Sequence, residues 1–545
     1  MTPREITAWL EARREAHRAF FTRLLVELCA ADTTVGREPA ECAAGDAACG
    51  AIIGRVLGNV LPLSAIVEKR PIDRAIARRP EYTPPPGGRS FAEHFDDRYN
   101  VIATVPGDAG LGIPMIYNAH VDTVAPHIAP RVEGGRVYGR GAADDKGSVA
   151  LLLTALKALG DLAAETRTTV RAPRVYQFVI EEETGGNGSL AALMDRSLEG
   201  YSALVLEVTG GAVHPANRGA VWYQAELRRE AADVRLAELA AAVILALEDE
   251  GAAIKKESAH PLFLPHHVQT CHGILGPYGA HPSAVNDRAA FTVEGLAAGA
   301  VRAAAEAALG EYVARYGDKA KEIDPASGAP KVAAHFALAE EGGHVRLDVF
   351  GKAGHMGAIH LCDCALIKAA WMIERIAAAG GRVTLASGER DRAMLEGGQG
   401  FVPTHGIAEI TRRLAEAAAR GAARYAARLG LDAEVGRRLV DARFEKLRND
   451  AFAGDPESLV LECMQAAWAD AGRPWEAPRG WQVSCDARLF HGFGHDVIVW
   501  GPGELRVAHS AEESLSIDEA LDALPVLVMF TLRAGGCRLE AIGSR

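Results

Sequence analysis

Long apolar runs, a basic excess and regularly spaced cysteines are all missing from this 545-residue chain. Stretches such as 523–532 (ALPVLVMFTL) fall short of the roughly 20 apolar residues that span a bilayer, so no membrane span is expected. The opening stretch MTPREITAWLEARREAHRAF mixes Glu and Arg and has no apolar h-region, so no signal peptide is expected. A net charge of −12 offers no attraction to nucleic acid or to an anionic membrane, and neither is expected as a partner. The nine cysteines are scattered and odd in number. Cys362 and Cys364 are separated by one residue, which is not a usual zinc spacing. Free thiols in a reducing cytoplasm are the expectation. There is no long low-complexity tract and no internal repeat.

What the chain does have is an alternation of strands and helices. The length implies two or more domains. The periodicity predicts one helix over 5–29, an irregular stretch over 33–97 and a strand over 99–105 (YNVIATV). Buried strands follow at 114–119, 174–180 and 203–206, with a helix over 145–160 after a glycine-rich turn. This is the pattern of an α/β domain with a largely parallel sheet, in which ligands sit at the carboxyl ends of strands. Beyond Glu207 the texture changes. A strand is predicted over 218–227 and helices over 234–247, 291–316, 364–378 and 411–429. Residues 255–290 read as a loop holding His260, His266, His267, His272 and His281. The α/β texture returns at 481–500 and ends in a helix over 517–532.

Ligand-type residues fall at the predicted strand ends. His120 and Asp122 face the same way on a strand, so a metal-binding imidazole could be oriented by the carboxylate. Asp144 lies in VYGRGAADDKGSVA (137–150), where glycines permit a tight turn. Its two oxygens could bridge two cations, or it could merely cap the next helix. In EEETGG (181–186), one acid could bind metal while its neighbour acts as general base. Glu207 and His509 say little singly, but the set amounts to one histidine and one carboxylate per metal plus a shared carboxylate.

AHVDTV (119–124), GRGAADDKG (139–147), EEETGG (181–186), LEVTG (206–210), NRG (217–219), GKAGH (351–355), CDARLF (485–490) and GPG…AH (501–509) occur in order across most of the chain. In these pieces the chain resembles the dizinc peptidase and deacylase family of acetylornithine deacetylase, succinyl-diaminopimelate desuccinylase, aminoacylase, carnosine-type dipeptidases and glutamate carboxypeptidase. The resemblance implies a zinc-exopeptidase-like α/β domain with a central, mostly parallel sheet and helices on both faces, formed by 1–217 and 476–545. It implies an inserted α+β lid and dimerisation domain over 218–475, about twice the usual size. It implies two Zn2+ per subunit, with Co2+ or Mn2+ as alternatives. Asp144 would bridge them, with His120 and Glu207 on one metal and Glu183 and His509 on the other. Asp122 would support His120, Glu182 would be the general base, and the Asp144–Asp145 peptide would be cis. His355 would stabilise the oxyanion, in its own subunit or a partner's. Arg488 would bind a substrate carboxylate or form a structural salt bridge.

The implied activity is hydrolysis of an amide or peptide bond in an N-acyl amino acid, a dipeptide or a C-terminal residue, by a cytoplasmic homodimer. Alternatives are hydrolysis of a non-peptide C–N bond, as in a deaminase, and a metal-dependent binding protein without turnover. The intact Glu182 argues against the last. Two departures stand out: Asp145 replaces a commonly apolar residue, and Gly400 in GGQGFVP stands where the family's lid motif usually carries a substrate-contacting Asn.

Overall fold

The buried run MIYNAH, six residues without an exposed side chain, forms strand β3 (Met115–His120) at the heart of the first sheet. Such a run is what a strand covered on both faces requires. In the computed structural model, which describes residues 1–264, 268–279, 284–324, 328–388, 390–444, 448–537 and 539, the chain divides into two compact units. The first comprises 1–217 and 452–545, the second 218–451.

In the first unit, β3 lies between strands Arg174–Val179 and Ser202–Val205, parallel to both, and Val497–Val499 extends the parallel set. Two antiparallel strands, β1 (Ile66–Pro71) and β2 (Tyr99–Val105), complete the six-stranded sheet. His120 ends β3, while Glu181–Glu183 and Glu207 follow the two flanking strands, so three ligand-bearing segments share one edge.

The helix Lys146–Thr166 is long and apolar enough, by composition alone, to cross a membrane. Its most apolar window is 67% buried within the protein, and it is a core helix. The single helix expected over 5–29 is broken into α1 (Pro3–Glu11) and α2 (Arg14–Ala30). The stretch read as irregular holds a 22-residue helix, α3 (Pro39–Val60). Its glycines hid it from propensity, since glycine costs a helix about 1 kcal/mol against alanine. Gly45 is needed for packing: a Cβ there would lie 1.9 Å from the Asp32 carbonyl oxygen.

The chain re-enters the first unit at Phe452, not at 476. Phe452–Ala453 pairs antiparallel with Ala216–Asn217, and helix Leu459–Asp470 packs on the closing helix Ile517–Ala534. The composition of 452–475 gave no sign of these tertiary partners.

The second unit is α+β. One sheet orders strands Gln269–Leu275, Arg392–Phe401, Gly219–Arg228 and Val440–Arg443; another orders Phe336–Glu341, His344–Phe350, Arg288–Glu294 and Arg382–Leu385. Residues 255–290 are therefore partly strand rather than loop, and the helix expected from 291 begins at Ala298 after a strand. Helices Leu236–Glu257 and Ile407–Arg428 pack closely, with Gly421 placed where a Cβ would lie 2.6 Å from the Ala242 carbonyl oxygen.

Candidate metal centre

Two triads in the first unit each present one ligand atom per residue, all within 4.8 Å of one another: His120, Asp144 and Glu207; and Asp144, Glu183 and His509. Asp144 belongs to both. Its Oδ1 lies 3.1 Å from Nε2 of His120, and its Oδ2 lies 3.2 Å from Nε2 of His509. Glu183 Oε1 is 2.9 Å from the same His509 nitrogen. A carboxylate that turns one oxygen to each of two histidines has the arrangement a bridging ligand needs.

The electrostatics of the site fit cations. Burial, with Asp144, Glu182 and Asp145 nearby, pushes the Glu207 carboxyl well above the usual range. Burial does the same to Glu182, reinforced by Asp486 and Glu183. Glu183 is also raised, by burial first and by Asp144. The histidines are driven the same way by attraction. Burial opposes the charged form of His120, but Asp122 and Asp144 outweigh it and raise the imidazole well above its ordinary value. Glu183, followed by Asp144, raises His509 to about 11, although 44% of that side chain is exposed. Buried acids that resist ionisation beside imidazoles that favour it are the donor set that divalent cations would neutralise, and the residues present fit two such ions.

Asp122 does more than the sequence suggested. Nδ1 of His120 lies 3.0 Å from its main-chain oxygen and 3.4 Å from Oδ1. Its carboxylate accepts hydrogen bonds from the backbone N–H groups of Glu182 and Glu183, at 3.1 and 3.0 Å. It thus links the histidine segment to the acidic segment. The Asp144–Asp145 peptide is cis. Arg488 is buried and donates to the Gly185 carbonyl at 2.8 Å, so it braces the 181–186 turn. His355 lies in the second unit on Gly354–His355, paired with Ala284–Val285; its side chain lies outside the described residues.

Sequence reasoning missed Glu513 and Arg140. Strand Ser514–Ser516 pairs with Arg136–Tyr138 and brings Glu513 against the glycine turn. Glu513 Oε1 accepts from the backbone N–H groups of Ala143 and Asp144, at 3.2 and 3.1 Å, and Oε2 pairs with Arg140 at 2.6 Å. Both side chains are buried. Glu513 follows His509 by four residues, so one loop supplies a ligand and holds the bridging residue's backbone. Glu513→Ala should strip two buried N–H groups and one guanidinium of their acceptor. Loss of stability by about 3–5 kcal/mol, with weaker metal retention, is the expected result in thermal denaturation and metal analysis. An unchanged melting temperature would contradict it.

The second unit bears on two other expectations, Gly400 and the histidine-rich stretch. The guanidinium carbon of Arg218 lies 2.8 Å from where a Cβ on Gly400 would stand, so an Asn there would need Arg218 to move. His272 is fully buried in a chain running from Tyr223 through His272 Nε2 to Glu248 at 3.0 Å and on to Tyr316, which suits a satisfied core histidine. His266, His267 and His281 lie outside the described residues. A third grouping, Glu257, His405 and Glu409, already holds the guanidinium of Arg413 between its carboxylates and reads as a salt-bridge network.

Residues 116–533 match peptidase family M20/M25/M40. A curated relative from Aspergillus terreus, described as "Probable carboxypeptidase", is 39% identical over 107 residues, 19% of this chain and 23% of the relative. The chain thus aligns with about a quarter of the length of the curated relatives it matches. Among solved structures, the di-peptidase Dug1p from Saccharomyces cerevisiae aligns with TM-score 0.57 and 11% identity, over 98% of this chain and 99% of that one. Human carnosine dipeptidase 1 aligns with TM-score 0.54 and 12% identity, over 98% and 99%. At those identities the likeness concerns the fold. The family match covers most of the chain and all five residues of the two triads, and this chain belongs to peptidase family M20/M25/M40.

Proposed function

We propose that this enzyme hydrolyses the amide or peptide bond of a small substrate, an N-acyl amino acid, a dipeptide or a C-terminal residue, at a dinuclear metal centre. The observation that carries the reading is the placement of Asp144, one oxygen toward each histidine, next to the segment that bears Glu182 and Glu183. His120, Asp144 and Glu207 would hold one ion; Asp144, Glu183 and His509 would hold the other. Two divalent cations, zinc on this donor set with cobalt or manganese as substitutes, would polarise the scissile carbonyl and lower the pKa of an attacking water.

The remaining work falls to the chain. Glu182 belongs to neither triad, so its carboxylate is left to accept the proton of the attacking water. Its raised proton affinity suits it to take that proton, and the more basic departing amine nitrogen then receives it from the carboxyl. Asp122 holds the backbone of Glu182 and Glu183 in register with His120, and Arg488 braces the far side of their turn. His355 keeps, as a proposal, the oxyanion role that the resemblance implies. Assembly as a homodimer through the second unit and a cytoplasmic location belong to the same proposal. The dipeptidase names of two structural neighbours and the carboxypeptidase name of a curated relative support a substrate with one short peptide or amide link.

A mass-spectrometric screen tests this. Zinc-loaded protein is incubated with pooled N-acyl amino acids and dipeptides, with Glu182→Ala as the blank. Cleavage that disappears in the variant is the expected result. Release of ammonia from a second pool of aromatic amines, without amide cleavage in the first pool, would overturn the substrate class.

A further inference from the structure

Glu181 has a left-handed backbone, φ 69°, which residues other than glycine seldom adopt. It directly precedes Glu182 and Glu183. Such conformations persist only where the surroundings hold them, and here the surroundings form a buried ionic cluster. Arg98 is 2% exposed. Its Nε donates to Asp46 Oδ2 at 2.6 Å, and its Nη1 pairs with Glu181 Oε1. Nε2 of His94 lies 3.2 Å from Glu181 Oε2, which also accepts from the Thr184 hydroxyl at 2.7 Å. The other side of the turn is fixed independently. Asp122 takes the N–H groups of Glu182 and Glu183, and the Gly186 N–H donates to the Glu181 carbonyl at 2.7 Å. Asp46, His94 and Arg98 come from α3 and from the stretch before β2, ahead of residue 116 where the family match begins.

We propose that Arg98, together with Asp46 and His94, is a positioning device that anchors Glu181 in its left-handed conformation and so aims the carboxylates of Glu182 and Glu183. The physical reason is directional. With the Glu181 carboxylate locked into Arg98 and its φ held at 69°, the backbone leading into Glu182 and Glu183 has one set direction, which Asp122 fixes from the other end. A glycine could take the same φ without cost, though without the Arg98 anchor, so it would keep part of that direction. Arg98 does not touch the triads; it acts through Glu181. The inference rests on the proposed role of Glu182 for its kinetic consequence, and on Glu183 alone for its metal-binding consequence.

The test compares Glu181→Ala with Glu181→Gly, alongside Arg98→Lys and Arg98→Met. Zinc affinity is read on metal-free protein by competition with a chromogenic chelator, and kcat and KM are read on the amide that the screen identifies. Glu181→Ala should weaken one of the two zinc ions by about 10- to 100-fold. It should lower kcat by about 100-fold with little change in KM, the cost of misplacing reacting groups by about an ångström. Glu181→Gly, which reaches the left-handed φ freely, should recover a substantial part of both losses. Arg98→Lys, which keeps the charge without the fork, should fall between wild type and Arg98→Met. If Arg98→Met does not fold, the Glu181 pair decides. Ala and Gly variants that equal each other, or that both match wild type in zinc affinity and kcat, would overturn the inference. Glu182→Ala separates the two ideas. If it is inactive while the Glu181 variants are normal, only the positioning role fails. If it retains activity, the base assignment fails, and the zinc titration still judges the anchoring of Glu183.

Discussion

Glu182→Gln should lower kcat by about 10^4-fold, the upper range for losing a positioned general base, while both metal sites stay filled. The amide keeps the size of the side chain, and the backbone N–H that donates to Asp122 is untouched. Neither triad includes Glu182, so metal content should equal that of wild type. What disappears is a carboxylate whose proton affinity burial has raised, with Asp486, Glu183 and Asp122 adding to the effect. A neutral amide cannot take the water's proton or hand it to the amine. The measurement pairs kcat on the substrate found in the screen with metal content by plasma mass spectrometry. Activity within tenfold of wild type at full metal occupancy would remove Glu182 from the mechanism.

Asp144→Ala should empty both metal positions and abolish activity. Either triad loses its shared member, and the two histidines lose the carboxylate that lies between them. Alanine at His120 or Glu207 should instead affect one ion more than the other. The same residues fix the pH dependence of metal uptake. In the metal-free protein His509 is raised to about 11 and His120 well above its ordinary value, so both carry protons at neutral pH. Metal needs the neutral imidazole, so uptake must release these protons, and affinity should climb with pH by roughly tenfold per proton released per pH unit. The sign for the metal-free fold is the opposite. A histidine whose folded pKa is raised adds stability that is complete below the unfolded value of 6.5 and is lost as pH rises toward about 11. Metal-free protein should therefore lose stability on the alkaline side, while the zinc-loaded protein gains affinity there. Zinc affinity that is flat between pH 6 and 8 would contradict the charged state of the two histidines.

The chain alone determined the order of the site. His120, Glu181–Glu183 and Glu207 could be placed at strand ends because a buried parallel strand announces itself as an apolar run, and the first polar residue after it marks the carboxyl edge. The glycine turn around Asp144 was legible for a similar reason, since backbone that bends tightly leaves few choices of residue.

Tertiary structure decided the rest. Helix α3 was invisible because its glycines lower helix propensity, and two of them, Gly45 and Gly50, serve contacts with Asp32 and Tyr99 instead. The return to the first unit at Phe452 depends on pairing with Ala216–Asn217, far away in sequence. Glu513, Arg140 and Arg98 look like ordinary surface charges in the sequence, and most Glu and Arg residues are. Only the fold buries them and supplies partners, which turns each into a fixed support for a residue of the site. Local sequence encodes which groups can bind metal; long-range packing decides which of the remaining charges hold them in place.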